Sequence, residues 1–154
     1  MLKPPRDIRG FTLIEVMIVV VIVSILLMVA LPGYQHQLRK TRRNIAKGKL
    51  VEAAALQEQF FVNNKTYAFR LSYLGYTDAD NDNDFMVDSD AKVVADGSRS
   101  RIYLIRLQSS DQDEFLLHAV PQLSQAKDAQ CPGLSLNQAG QKGVAGSFDT
   151  EACW

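Results

Sequence analysis

The residues of this chain that could do chemistry begin with a carboxylate in the wrong solvent. Glu15 lies inside an apolar run, residues 11–31, that contains no Lys or Arg. A carboxylate within an apolar membrane helix costs about 2.5–3.5 kcal/mol on insertion scales, so it requires a partner. A cut after Gly10 would create an amino group on Phe11, four residues from Glu15, able to pair with Glu15 of a neighbouring copy. The competing reading, of similar weight on physical grounds, is a carboxylate that snorkels to the membrane edge.

A second candidate is acidic. Asp78, Asp80, Asp82 and Asp84 alternate with Ala79, Asn81 and Asn83, with Asp88 and Asp90 nearby. Such spacing can converge carboxylates on a hard cation, and calcium is the one cofactor candidate of the chain. The EF-hand pattern fails, because counting from Asp78 the sixth position is Asn83 and the twelfth is Ser89. A solvated acidic loop is the favoured reading.

Cys131 and Cys153 close a short loop if they pair, which fits an oxidising compartment and adds about 3 kcal/mol by loop entropy. A disulfide explains them better than a nucleophile with its base. His36 and His118 stand outside any metal-binding spacing, and neither a Gly-x-Ser-x-Gly elbow nor a phosphate-cradling glycine loop occurs. The chain is therefore not expected to be an enzyme.

These residues need elements to hold them. The 154 residues, 47% of them hydrophobic with zero formal charge, suit one domain, but the charge is unevenly placed. Residues 1–49 hold nine Lys/Arg against Asp7 and Glu15, while residues 50–154 hold eight against fifteen acids: a basic stem with an acidic head. Residues 11–31, broken only by Thr12, Glu15 and Ser24 and stopped by Pro32 and Gly33, are long enough to cross a bilayer as a helix. No convincing small-residue cleavage pattern follows the run, so the processing signal is expected in front of it. A second helical stretch reaches about Asn63, with Ala46, Leu50, Ala53, Ala54, Phe60 and Phe61 on one face. The two halves make about 75 Å of helix, with Pro32 and Gly33 as a kink or local break and Asn63-Asn64 as the stop.

Residues 101–107 and 115–120 read as strands joined by a polar loop at 109–113, with a third strand at 134–137. Residues 64–100 show no clear period. The expected fold is α+β, a long N-terminal helix packed on a small antiparallel sheet.

The run Arg9-Gly10-Phe11-Thr12-Leu13-Ile14-Glu15-Val16-Met17-Ile18-Val19-Val20 resembles the signature of type IV prepilins. The resemblance implies that Gly10 precedes the prepilin peptidase cut, that Phe11 becomes the N-methylated first residue, and that Glu15 serves assembly. Pro32, Gly33 and Tyr34 fall where pilins carry their proline and the residues after it. The head is similar to minor pilins of the PilE kind through Asn64-x-Thr66-Tyr67-Ala68, Ala119-Val120-Pro121, Asp128-Ala129-Gln130-Cys131, Leu134-Ser135-Leu136-Asn137, Gly140 and Cys153-Trp154. Pro132-Gly133 departs from that pattern and should affect loop shape rather than pairing.

What the resemblance implies is a type IV minor pilin that helps initiate and build a pilus for adhesion, twitching motility or DNA uptake. It divides the chain into a removed leader (1–10), a long helix (11–63, transmembrane at 11–31) and a pilin head (64–154) with a disulfide loop at 131–153. The implied partners are other major and minor pilins, a prepilin peptidase, an inner-membrane assembly platform and membrane lipid before assembly. The implied location is the bacterial inner membrane with the head periplasmic, then the pilus. A pseudopilin of a type II secretion system is the alternative, favoured by the acidic loop, and a membrane-anchored periplasmic metal- or ligand-binding protein is a further one.

Arg39, Lys40, Arg42, Arg43, Lys47 and Lys49 complicate this reading. By the positive-inside rule alone they would hold the C-terminal side in the cytoplasm, against the cysteine pair and the prepilin signature. They also invite phosphates, yet no aromatic residue interleaves with them. Lipid head groups or acidic neighbours are therefore the expected partners, and nucleic acid is not expected as a direct ligand of this subunit.

Overall fold

A long apolar run followed by Ala-, Leu- and Gln-rich sequence folds as one helix, α1 (Leu13–Asn64), in the computed structural model, which describes residues 10–76, 82–145 and 150–154. Thr12 caps its start, its Oγ1 accepting from the Glu15 amide at 3.3 Å, as side-chain oxygens do for the orphan donors of a first turn. At the other end Asn63 and Asn64 fold back, their Nδ2 atoms donating to the carbonyls of Gln59 and Phe60 at 3.1 and 2.9 Å. Lys65, with φ of 61°, then turns the chain through the left-handed region. The expected stop is thus met. Pro32 and Gly33 both lie within α1, and no break divides the helix there.

The chain divides into two compact units, Met1–Leu38 and Arg39–Trp154. In the first, α1 contains a window of mean hydropathy 3.1 with none of it buried, long and apolar enough to cross a membrane. Phe11 is 84% exposed and Met28 78%. A helix apolar on every side needs lipid or other apolar segments to cover it.

In the second unit the described strands form one antiparallel sheet in the order β2-β1-β3-β4-β5-β6. They are β1 (Asp84–Asp88), β2 (Val93–Val94), β3 (Arg101–Asp111), β4 (Glu114–Pro121), β5 (Leu134–Asn137) and β6 (Lys142–Val144), with a short helix, α2 (Thr150–Cys153), at the C-terminus. Phe115, Leu117 and Ala119 alternate inward along β4, Tyr103, Ile105 and Leu107 along β3, and Leu134 and Leu136 along β5. They form one buried core with Ala46, Leu50 and Ala53 of α1. Aromatic rings extend it: Tyr76 stacks on Phe85 at 4.1 Å, and Tyr67 bridges Phe61 at 4.7 Å and Phe115 at 4.9 Å. Each such pair adds about 0.5–1.5 kcal/mol beyond its buried area.

The α+β expectation holds, and β5 coincides with the strand expected at 134–137. Three expectations need correction. The polar residues 109–113 are not all loop: β3 runs to Asp111, and a register shift between Gln108 and Asp111 carries polar residues on in strand geometry, leaving Gln112-Asp113 as the turn. Residues 64–100 contain β1 and β2, whose apolar centres are too short to show a period. Of the face expected on α1, Ala46, Leu50 and Ala53 are buried and Ala54 and Phe61 pack against the core as expected; only Phe60 departs, half-exposed, and Arg43 and Gln57 join the buried stripe.

Candidate functional site

At the N-terminal end Gly10 and Phe11 precede α1, and Glu15 sits in its first turn. Phe11, just ahead of the helix, and Glu15, Val16 and Val19 of its first turns line one shallow apolar hollow. The positive end of the helix dipole attracts Glu15 by about 0.3–1 kcal/mol, which leaves most of its desolvation cost in lipid without compensation. Further along, Ser24 satisfies itself by donating to the Val20 carbonyl at 2.7 Å. His36 is exposed on α1.

In the head, the basic run resolves into separate tasks. Arg43 is buried and grips Asp128, which is 3% exposed, through Nε–Oδ2 at 2.6 Å and Nη2–Oδ1 at 2.7 Å. Its Nη2 also donates to Gln130 at 3.2 Å. The two Nε2 hydrogens of fully buried Gln125 are shared among Asp128 Oδ2, the Tyr103 hydroxyl oxygen and the Arg39 carbonyl, at 3.2, 3.2 and 3.3 Å. The bonds to Asp128 hold the Arg43 guanidinium pKa above its ordinary value despite the opposing effect of burial. Arg42 reaches Ser124 at 2.9 Å, and Lys49 pairs with Glu52 at 2.7 Å. Lys47 has its pKa lowered, by burial first and then by Arg43, Lys142 and Lys40.

Asp128 leads directly into the disulfide. Cys131 and Cys153 are bonded, as the compartment reading required, with Cα atoms 5.7 Å apart, and the Cys131 amide donates to the Asp128 carbonyl at 3.2 Å. After Cys153, Trp154 lies half-buried, its Nε1 donating to the Gly143 carbonyl at 2.9 Å and its ring lying 5.2 Å beneath the Lys142 ammonium. The loop after α1 is fastened in its turn. Gln57, fully buried, donates to the Ala68 carbonyl at 3.0 Å and accepts from the Ala68 amide at 2.8 Å. Glu58 and Glu52 accept from the hydroxyls of Tyr67 and Tyr76 at 2.8 and 3.1 Å.

The candidate calcium loop does not assemble from its described half. Asp82 pairs with Arg70 at 2.6 Å and Asp84 with Arg106 at 3.2 Å, so arginines already neutralise both. Asp78 and Asp80 lie outside the described residues, among which no group of three metal-ligating side chains occurs. Arg43, Asp128, Gln125 and Gln57 are the site residues that sequence reasoning missed. Only the Asp-x-x-Cys lead pointed towards them.

Comparison with known proteins gives this geometry its context. The profile of the family described as "Type IV minor pilin ComP, DNA uptake sequence receptor" matches residues 32–135, more than half of the chain. The chain belongs to this pilin family. A prokaryotic N-terminal methylation motif matches residues 5–31 of the pilin. The pilin is 36% identical over 72 residues to the type IV major pilin PilA of Myxococcus xanthus, covering 47% of this chain and 32% of that protein. It is 38% identical over 58 residues to the type IV major alpha-pilin of Moraxella bovis, covering 38% and 36%. It is 32% identical over 62 residues to PilA4, the type IV wide pilus major component of Thermus thermophilus, covering 40% and 47%. The pilin thus spans about a third to a half of the length of these relatives. A solved type IV pilin from Shewanella oneidensis, 22% identical, aligns over 75% of this chain and 97% of that one with a TM-score of 0.48. Family membership, the methylation motif and the apolar helix together fit a membrane-anchored pilus subunit.

Proposed function

We propose that this pilin is a minor subunit, cut after Gly10, methylated on Phe11 and stacked into a filament through the apolar part of α1, with its head periplasmic before assembly. The observation that carries the reading is Glu15: a carboxylate on an exposed apolar helix, four residues along the chain from the Phe11 amine that such a cut would create. A neighbour's amine supplies the positive charge that the helix dipole does not match. Prepilin peptidase, an inner-membrane platform and other pilins are the partners this mechanism needs. Substitution E15Q tests it. The variant should be processed normally yet be absent from sheared filaments; recovery at the wild-type level would overturn the assembly role of the charge.

A second reading, direct contact with DNA, has support in the head. The sequence sets nucleic acid aside because no aromatic interleaves with residues 39–49, but folding brings one from the far end of the chain. Lys142 lies over Trp154, and Lys47 feels the charges of Lys142 and Lys40. Clustered cations beside a half-buried aromatic ring offer a phosphate backbone its counter-charge and a base a neighbouring π surface. The family description, which names a DNA uptake sequence receptor, points the same way. Double substitution K47E/K142E should abolish salt-sensitive retention of duplex DNA by the full chain in detergent; unchanged retention would remove this reading.

A further inference from the structure

Where α1 ends, the head carries an open hollow of about 210 Å³ between the last turns of that helix and a short 3-10 turn, Leu71–Leu74. Gln59, Phe60, Asn63 and Asn64 line it from α1, and Tyr73 and Leu74 from the turn. The turn is well fastened. Leu71 is fully buried and its amide donates to the Asp82 carbonyl at 2.7 Å, while Gly75, with φ of 94°, closes the turn in a backbone conformation that glycine adopts without strain. Tyr73, 58% exposed, is thereby held beside the helix, its ring 8° from parallel to that of half-exposed Phe60, with centroids 6.3 Å apart.

The walls select by what they offer a ligand. Among the described residues no charged side chain lines the hollow, so an ion finds no counter-charge in its walls. Asn63 and Asn64 each use one Nδ2 hydrogen on a helix carbonyl, which holds both amides at the helix end and leaves each an Oδ1 and a second Nδ2 hydrogen facing solvent. Gln59 is exposed beside them, and among the described residues nothing bonds its side-chain amide. Amides that both donate and accept match hydroxyl groups, which do the same. The aromatic faces are apolar and carry the negative side of the ring quadrupole, which attracts C–H groups. A pyranose presents both kinds of surface, hydroxyls around its rim and axial C–H groups on its faces. The volume falls below the about 300–1,000 Å³ of sites that enclose drug-sized ligands, so it suits a single ring. The negative end of the α1 dipole lies at the same place and disfavours an anionic sugar, while a cation would leave the amide donors unmatched.

We infer that this hollow binds a neutral pyranose, the terminal unit of a saccharide, with one C–H face on the Tyr73 ring beside Phe60 and its hydroxyls on the amides of Gln59, Asn63 and Asn64. The site needs neither Glu15 nor the Lys142–Trp154 surface. It gives the head a saccharide-binding role separate from polymerisation and from DNA.

The test uses the full chain in micelles of a sugar-free polyoxyethylene detergent, with methyl β-D-glucopyranoside and methyl β-D-galactopyranoside as probes and nuclear magnetic resonance as readout. At least one glycoside should give saturable shifts confined to the Phe60 and Tyr73 rings and the side-chain amides of Gln59, Asn63 and Asn64. Tetrahydropyran, which has the ring without the hydroxyls, glucuronate, which is anionic, and tetramethylammonium, a cation suited to the rings alone, should each bind at least tenfold more weakly. Y73A should weaken glycoside binding at least fivefold and Q59A at least threefold, whereas Y73F, which keeps the ring face, should stay within twofold of wild type. Both positions are exposed, so all three variants should retain the sheet spectrum. Linear shifts with both glycosides, an equal response to tetrahydropyran, glucuronate or tetramethylammonium, or unchanged glycoside binding by Y73A and Q59A would overturn the inference.

Discussion

Arg43 and Asp128 meet in a two-pronged buried ion pair at 2.6 and 2.7 Å, joining the basic segment of α1 to the residue three positions before a disulfide cysteine. Removing one partner strands a buried charge, which costs about 3–5 kcal/mol, whereas an apolar pair of similar volume is often neutral. D128N should therefore lower the unfolding free energy by about that amount in chemical denaturation. R43M/D128L should recover most of the loss. Equal stability of D128N and wild type would mean that the pair does not hold the head.

Cleaving the disulfide should be felt at the same place. Cys131 and Cys153 are separated by 22 positions, and releasing such a loop removes about 3 kcal/mol in the loop-entropy account. Because the Cys131 amide bonds the Asp128 carbonyl, the cost of C131S/C153S should not add to that of D128N. Additive losses in a double-mutant cycle would show that the disulfide and the ion pair act independently.

The head should also resist base until late and then yield. Burial, reinforced by Glu58, pushes the Tyr67 phenol to about 12, and burial pushes Tyr103 to about 12. Burial and Glu52 raise Tyr76 as well. A phenol whose folded pKa is raised contributes stability that is present below about pH 10 and is lost as pH climbs towards the folded value. Phenolate absorbance should report these three tyrosines ionising well above pH 10, together with unfolding. Their ionisation near pH 10 with the circular dichroism intact would contradict the packing described.

At the acid end His118 acts in the opposite sense. Its pKa is lowered by burial and then by Arg106 on β3, with Ser135 facing it from β5. The unfolded chain therefore takes up this proton first as pH falls below about 6.5, and stability declines from there through the folded pKa. H118Q should flatten that decline in a pH series of melting temperatures. An identical acid slope in H118Q would place the proton elsewhere.

Much of this architecture is legible in the sequence, for reasons that also mark its limits. The membrane-length helix and β5 announce themselves because apolar periodicity and length are local properties. Arg43, Gln57 and Asp128 do not, since a charged or amide residue reads as solvated until the fold supplies its partner 85 positions away, or 11 in the case of Gln57. β1 is hidden by acids at both ends that find their partners only in the fold, Asp84 in Arg106 and Asp88 in the backbone amides of Asp90 and Lys92. The same side chains looked like calcium ligands because spacing reveals proximity along the chain and nothing of what lies opposite. Trp154 illustrates the converse: an aromatic absent from the basic run in sequence stands beside Lys142 in space.

The measurement that tests the central claim most directly is mass spectrometry of the N-terminus in cells with and without prepilin peptidase. The account predicts a mature chain beginning at N-methylated Phe11 in the first and a chain that retains Gly10 in the second. A chain still beginning at Met1 in peptidase-containing cells, or one cut after Leu31, would contradict it.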